Sequence, residues 1–357
     1  MKNRRRLAVA VVFVLFSFPF AAFVFGACVF NAPAYRGPIS DHFDGDVFTG
    51  GLTDDSGFMS LMRWQLQRER GEWPEWQDGE PGEKPPERVD DGTVRITMVN
   101  HATLLIQQDG VNVLTDPVWS MRTSPVTFAG PYRRRPPGLR FEDLPPIDVV
   151  VISHNHYDHL DLDTLARLVE AHQPKILVPL GNKALLDDEG VAGSRDSDWW
   201  EKTRISDRVS VTNVPAQHFS GRGMSDRMKT LFSGWVIDGP SARVFFAGDT
   251  GYGPHFTRVR EKTGAPDVAL LPIGAFRPRW FMRAVHTDPQ DAVRAHLDLG
   301  AQLSIGMHFG TFPLADDGME EPVVELAKAR SAHGIAEDVF VAPSNGQSYV
   351  WKKSPER

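Results

Sequence analysis

The six residues His154-Asn155-His156-Tyr157-Asp158-His159 constrain this chain more than any other stretch. They place four metal-ligand side chains, in the order His-x-His-x-Asp-His, in one short turn. The run before them, Ile147 to Ser153, is β-branched and apolar and reads as a buried strand. The run after them carries Leu160, Leu162, Leu165, Ala166, Leu168 and Val169, a spacing that predicts an amphipathic helix over 160–172. The ligands therefore sit at the carboxyl end of a strand, where open α/β sheets place their chemistry. In an extended turn His154 and His156 project the same way and can share one metal, while Asp158 and His159 turn toward a second. Imidazole nitrogen and carboxylate oxygen suit zinc, with iron or manganese as rivals.

The body around this turn is strand-rich. Val94 to Val99, Thr103 to Gln107 and Val111 to Thr115 read as strands, the last two joined across Gln108-Asp109-Gly110 as a hairpin. Further strands are expected at Lys175–Pro179, 206–214, 231–237, 242–247, Val268–Pro272 and Leu303–Met307. Three more ligand candidates stand singly just past such strands: His218, Asp249 in the glycine-flanked run Gly248-Asp249-Thr250-Gly251, and His308. Each alone reads as structural; with the first cluster they complete two coordination spheres. His101, at a strand start, reads equally as a residue orienting a metal ligand and as a satisfied core histidine. Arg133, Arg134 and Arg135, in a proline-rich segment, read either as a solvated loop or as a contact for an anionic substrate or lipid headgroup.

Composition limits the partners. Among 357 residues the net charge is −7, which argues against nucleic acid, and the only cysteine is Cys28, which excludes an intramolecular disulfide. At the amino terminus Lys2, Arg4, Arg5 and Arg6 precede an apolar run from Leu7 to Ala27. A run of about 20 apolar residues is enough to span a bilayer. Residues 1–28 read as a cleaved signal peptide, a retained anchor, or a lipoprotein signal ending at Cys28, each sending the rest of the chain to the extracytoplasmic face. Residues 29–92 read as an arm or linker, with a short helix expected over 58–70 and tryptophans at 64, 73 and 76. Those tryptophans either pack the arm onto the body or face a membrane or substrate. Residues 93–357 read as the catalytic domain.

The motif and its surroundings resemble the metallo-β-lactamase superfamily. Within it the chain is most similar to the phospholipases D that hydrolyse N-acyl-phosphatidylethanolamine. The matching stretches are Leu114-Thr115-Asp116-Pro117, Leu144 to Asp148, Ile152 to Leu160, Phe246 to Tyr252, Pro272 to Ala275, Pro278 to Met282 and His308 to Phe312. The resemblance implies an α/β fold, a four-layer αββα sandwich of two similar halves, with the site at the sheet edge between them. It implies one zinc held by His154, His156 and His218, a second held by Asp158, His159 and His308, and Asp249 bridging. His286 corresponds to a histidine near the substrate phosphate, with Asp158 also orienting the nucleophile. Asn100, where the family carries glycine, and Val285, in place of a polar neighbour, depart from its pattern. The implied reaction is hydrolysis of N-acyl-phosphatidylethanolamine, a phospholipid at a membrane surface, to phosphatidate and N-acylethanolamine through a metal-bridging hydroxide. The implied assembly is a homodimer. The alternatives are a metal-dependent hydrolase of a soluble lactone or small phosphodiester, and a binding module whose metal is structural.

Overall fold

The computed structural model describes residues 30–49 and 57–352. Two seven-stranded sheets form its centre. The first contains β1 (Thr93–Asn100), β2 (Thr103–Gln108), β3 (Val111–Thr115), β4 (Val149–Val151), β5 (Lys175–Pro179), β6 (Ser194–Ser197) and β14 (Ser348–Lys352), in the order β14-β1-β2-β3-β4-β5-β6. The second contains β7 (Lys202–Arg204), β8 (Ser210–Pro215), β9 (Ser233–Asp238), β10 (Arg243–Phe246), β11 (Val268–Pro272), β12 (Leu303–Met307) and β13 (Phe340–Val341), in the order β13-β12-β11-β10-β9-β8-β7.

The two sheets repeat one pattern. From β1 to β3 the pairs are antiparallel, and from β3 to β6 they are parallel. From β8 to β10 the pairs are again antiparallel, and from β10 to β13 parallel. Each half therefore presents the carboxyl ends of its parallel strands to one edge, and the helical crossovers lie on the faces. Strand β14 returns from the far end of the chain to pair antiparallel with β1.

Strand alternation decides which side chains enter which layer. Val149 and Val151 of β4 join the core between the sheets, with Trp235, Ile237 and Phe245 of the second sheet. Val150 and Ile152 turn the other way, onto Leu165 and Leu168 of α2 (Leu162–His172) and Leu185 and Leu186 of α3 (Asn182–Asp188). The buried Trp235 indole donates to the Ile152 carbonyl at 2.9 Å, tying one sheet to the other. On the second sheet lie α4 (His255–Thr263), α6 (Pro289–Leu299) and α7 (Glu321–His333), which add Phe256, Val259, Ala292, Val293 and Leu326 to the core. The short α5 (Arg279–Met282) precedes α6. This is the expected αββα sandwich.

Local signals explain the element ends. Helix α2 starts at Asp161, whose carboxylate accepts the Thr164 N–H, and stops at Gln173 in the left-handed conformation. Helix α6 starts with Asp288 capping the Asp291 N–H, Pro289 following, and Gly300 at φ 65° closing it. Two expected strands differ most from the sequence-based bounds. The 147–153 strand pairs only over Val149–Val151, because Pro145 and Pro146 precede it and the ligand turn follows. The 206–214 strand begins at Ser210, because Ser206 and Val209 close a tight turn on each other.

The arm lies on the body. Helix α1 (Phe58–Leu66) buries Trp64, whose indole donates to Asp316 at 2.9 Å and stacks on Phe281. The Trp73 indole donates to the Asp317 carbonyl at 2.8 Å, while Trp76 stays exposed. Two of the three tryptophans are thus packing residues. Among the described residues no helix is long and apolar enough to cross a membrane. The expected signal or anchor, with Cys28, lies outside the described residues.

Candidate metal centre

The ligand candidates come from both halves and meet at the carboxyl edge of the strands. His154, His156, Asp158 and His159 follow β4, His218 follows β8, Asp249 follows β10 and His308 follows β12. All are buried except His156, which is partly open. His154 Nε2 lies 2.8 Å from His156 Nδ1, and His218 Nε2 lies 3.4 Å from the same atom. These three nitrogens converge on one point. On the other side Asp158 Oδ2 lies 3.3 Å from both His159 Nε2 and His308 Nε2. Asp249 stands between the groups, its Oδ2 3.2 Å from His159, 3.1 Å from His308 and 3.8 Å from His218.

Surrounding groups fix which nitrogen of each ring faces inward. His218 donates its Nδ1–H to the Val285 carbonyl at 2.9 Å, leaving Nε2 for the centre. His154 donates Nδ1–H to the Ser153 hydroxyl at 2.9 Å. His159 donates Nδ1–H to Asp116 at 2.6 Å, and the Ser153 hydroxyl and backbone N–H hold that carboxylate, each at 2.6 Å. Asp116 is fully buried, and burial pushes its carboxyl above the ordinary range against the pull of His159 and Ser153. The sequence reading passes over Asp116 as the residue after a strand; the hint it carried was Asp-Pro at the end of β3, beside the motif strand.

The protonation pattern suits a cation. Burial holds His156 and His286 down to about 4, and His154 and His218 well below the ordinary value, so their nitrogens are free to coordinate. Burial opposes charge on His308, yet Asp249 and Asp158 hold it up at about 9. Burial raises Asp158 and Asp249, but the neighbouring imidazoles outweigh it and keep both carboxyls well below the usual range. A divalent ion bound there would take the place of the proton that His308 otherwise holds between Asp158 and Asp249. His159 Nε2 and Asp249 Oδ1 are buried without a hydrogen-bond partner, and such groups are costly unless something else satisfies them. The donor set, nitrogen-rich with carboxylate oxygen, fits zinc, iron or manganese.

His101 sits on the turn between β1 and β2 and points into this cluster, its Nε2 2.9 Å from Asp158 Oδ2. With Asp158, His159 and His308 it forms a group of donors within 4.8 Å of one another. His286 follows α5, with Nδ1 3.8 Å from Asp249 Oδ2 and its ring against His218. His101, Asp116 and His308 have φ of 46°, 32° and 60°, a conformation that costs roughly 1–3 kcal/mol each and collects at functional sites. Among the described residues the three arginines take other places. Arg133 is buried, donates to the Val118 and Ser120 carbonyls, and lies over Phe312, whose edge meets His101. Arg134 donates to the Glu75 carbonyl, and Arg135 to Gln77 and Glu320.

Known proteins resemble this chain in sequence and in fold. A family model described as a beta-lactamase superfamily domain matches residues 111–309. An uncharacterised protein of Mycobacterium tuberculosis is 44% identical over 247 residues, 68% of this chain and 65% of its own length, so the match spans less than two thirds of that relative. N-acyl-phosphatidylethanolamine-hydrolyzing phospholipase D 1 of Caenorhabditis elegans is 39% identical over 270 residues, 72% of this chain and 75% of its own. Among solved structures, a metallo hydrolase from the archaeon Ignicoccus hospitalis superposes with a TM-score of 0.56 at 24% identity, covering 73% of this chain and 100% of that one. Motif, doubled sheet and family match agree: the chain belongs to the beta-lactamase superfamily and has the metallo-β-lactamase fold.

Proposed function

We propose that this enzyme is a zinc-dependent phosphodiesterase of the phospholipase D type, acting on N-acyl-phosphatidylethanolamine. The observation that carries the reading is the placing of Asp249 between two donor groups, His154, His156 and His218 on one side and Asp158, His159 and His308 on the other. The similarity to the nematode phospholipase supplies the substrate class. Two divalent cations bound there would supply Lewis acidity for a phosphoryl oxygen and a water acidified to near neutrality.

The chain's own residues do the rest. Asp249 and Asp158 bring negative charge to a buried site, which would balance bound cations. Asp158, held by His101, also offers an oxygen that can orient the attacking water. His286, neutral near pH 7 and partly exposed, can donate a hydrogen bond to a phosphoryl oxygen. Arg279 fixes that loop by donating to the His286 carbonyl and pairing with Asp288 and Asp291. The basic and apolar amino terminus supports attachment to a membrane on its extracytoplasmic side, where such a lipid is met.

The test is release of N-acylethanolamine from N-acyl-phosphatidylethanolamine vesicles by the zinc-loaded chain. Release that a chelator abolishes and zinc restores is the expected result. A metal-loaded chain that leaves the vesicles intact but cleaves soluble lactones or small diesters would overturn the lipid reading.

A further inference from the structure

Away from the metal centre, a surface cavity of about 790 Å³ is lined by four arginines, Arg68, Arg70, Arg122 and Arg134, with Trp73 and Tyr132 in its walls. None of the metal-ligand candidates lines it. Glu75 is the one carboxylate residue among the lining residues described. Arg68 is neutralised by Asp316 at 2.7 Å. The other three have no carboxylate partner among the described residues. Arg122 donates to the Gly130 carbonyl and lies over Tyr132, and Arg134 donates to the Glu75 carbonyl. Among the described residues the buried Arg134 Nε has no hydrogen-bond partner, and Arg70 is exposed.

Three guanidinium groups without a carboxylate partner among the described residues thus line one cavity in a chain whose net charge is −7. Like charges gathered around one cavity raise its positive potential and draw an anion into it. Guanidinium forks match the tetrahedral oxygens of phosphate, which accept several charge-assisted hydrogen bonds at once. We infer that this cavity is a second ligand site, distinct from the metal centre, and that it binds a phosphate-bearing molecule. Its wall is coupled to the metal centre through the backbone. The Arg134 N–H donates to the Thr311 carbonyl at 2.8 Å, and the Thr311 hydroxyl accepts the His101 N–H at 3.2 Å. The inference stands on the cavity alone and does not need the phospholipase reading.

The experiment is calorimetric titration of the metal-loaded full chain and of an Arg70→Ala/Arg122→Ala variant. The probes are inorganic phosphate, glycerol 3-phosphate, and vesicles of phosphatidylglycerol or phosphatidylcholine. Metal content is measured on both proteins, so phosphate held by the metals counts equally in each. The expected result is a saturable phosphate-dependent event that the variant weakens on the order of tenfold or more and that added salt weakens too. Binding of free phosphate marks a soluble ligand. Binding confined to phosphatidylglycerol and competed by glycerol 3-phosphate marks a lipid headgroup. No probe bound beyond the metal centre, or equal binding by the variant, overturns the assignment.

Discussion

Asp116 touches no position a substrate would occupy, yet it sets the direction of His159 through a 2.6 Å hydrogen bond. Replacing it with Asn keeps the shape and removes the charge that holds the imidazole in one tautomer. Asp116→Asn is expected to lower metal affinity about 10- to 100-fold, measured by competition with a chelator of known affinity; unchanged affinity would show that Ser153 and packing suffice. Gly248, at φ 61°, is a second such position, because a Cβ there meets Ser153 and the Ser233 carbonyl. Gly248→Ala is expected to displace Asp249 and cut turnover while the chain stays folded, read from kcat beside the circular dichroism spectrum. At this scale the sequence was informative where ligands cluster or stand at strand ends. It gave Asp116 no role of its own, since an Asp-Pro after a strand is an ordinary turn signal, and only the folded β3–β4 pair brings it beneath His159. Arg133 departs from a solvated loop for the opposite reason. Charge in a proline-rich loop looks solvated, yet Arg133 is buried against backbone carbonyls.

The arm is held to the body by few, identifiable contacts, and its elements can be loosened separately. Trp64 of α1 is the main apolar anchor, and Trp64→Ala is expected to destabilise the chain by about 3–5 kcal/mol, measured by urea denaturation. The segment 30–49 is anchored differently. His42 stacks on Trp199 and lies 2.6 Å from Asp41 and 2.8 Å from Asp198. The hydrogen bond to Asp198, with the further one to Asp41, raises the His42 pKa above its ordinary value despite its burial. A raised folded pKa means stability that is fully present below the ordinary histidine pKa and is lost as pH rises through the folded one. The difference in melting temperature between the native chain and His42→Asn is therefore expected to shrink from pH 6 toward pH 9; a difference that grows would refute the linkage. Strands such as β5, β11 and β12 were legible as apolar runs. The pairing of β14 with β1 was not, because it joins residues 348–352 to 93–97, and no local pattern reports a partner so far along the chain.

Across the whole molecule, both halves contribute residues to each side of one buried ionic cluster, so metal and fold are linked. The cluster of His154, His156, Asp158, His159, His218, Asp249 and His308 is closed only when both sheets are docked. Ions that bind the folded state alone stabilise it by mass action, so chelation is expected to lower the melting temperature and zinc to restore it. The central claim, attack of water on phosphorus at this centre, is tested most directly by turnover of N-acyl-phosphatidylethanolamine vesicles in 18O-labelled water. Mass spectrometry of the products is expected to find the label in phosphatidate and none in N-acylethanolamine. Label in N-acylethanolamine, or no product from a fully metal-loaded chain, would contradict the account.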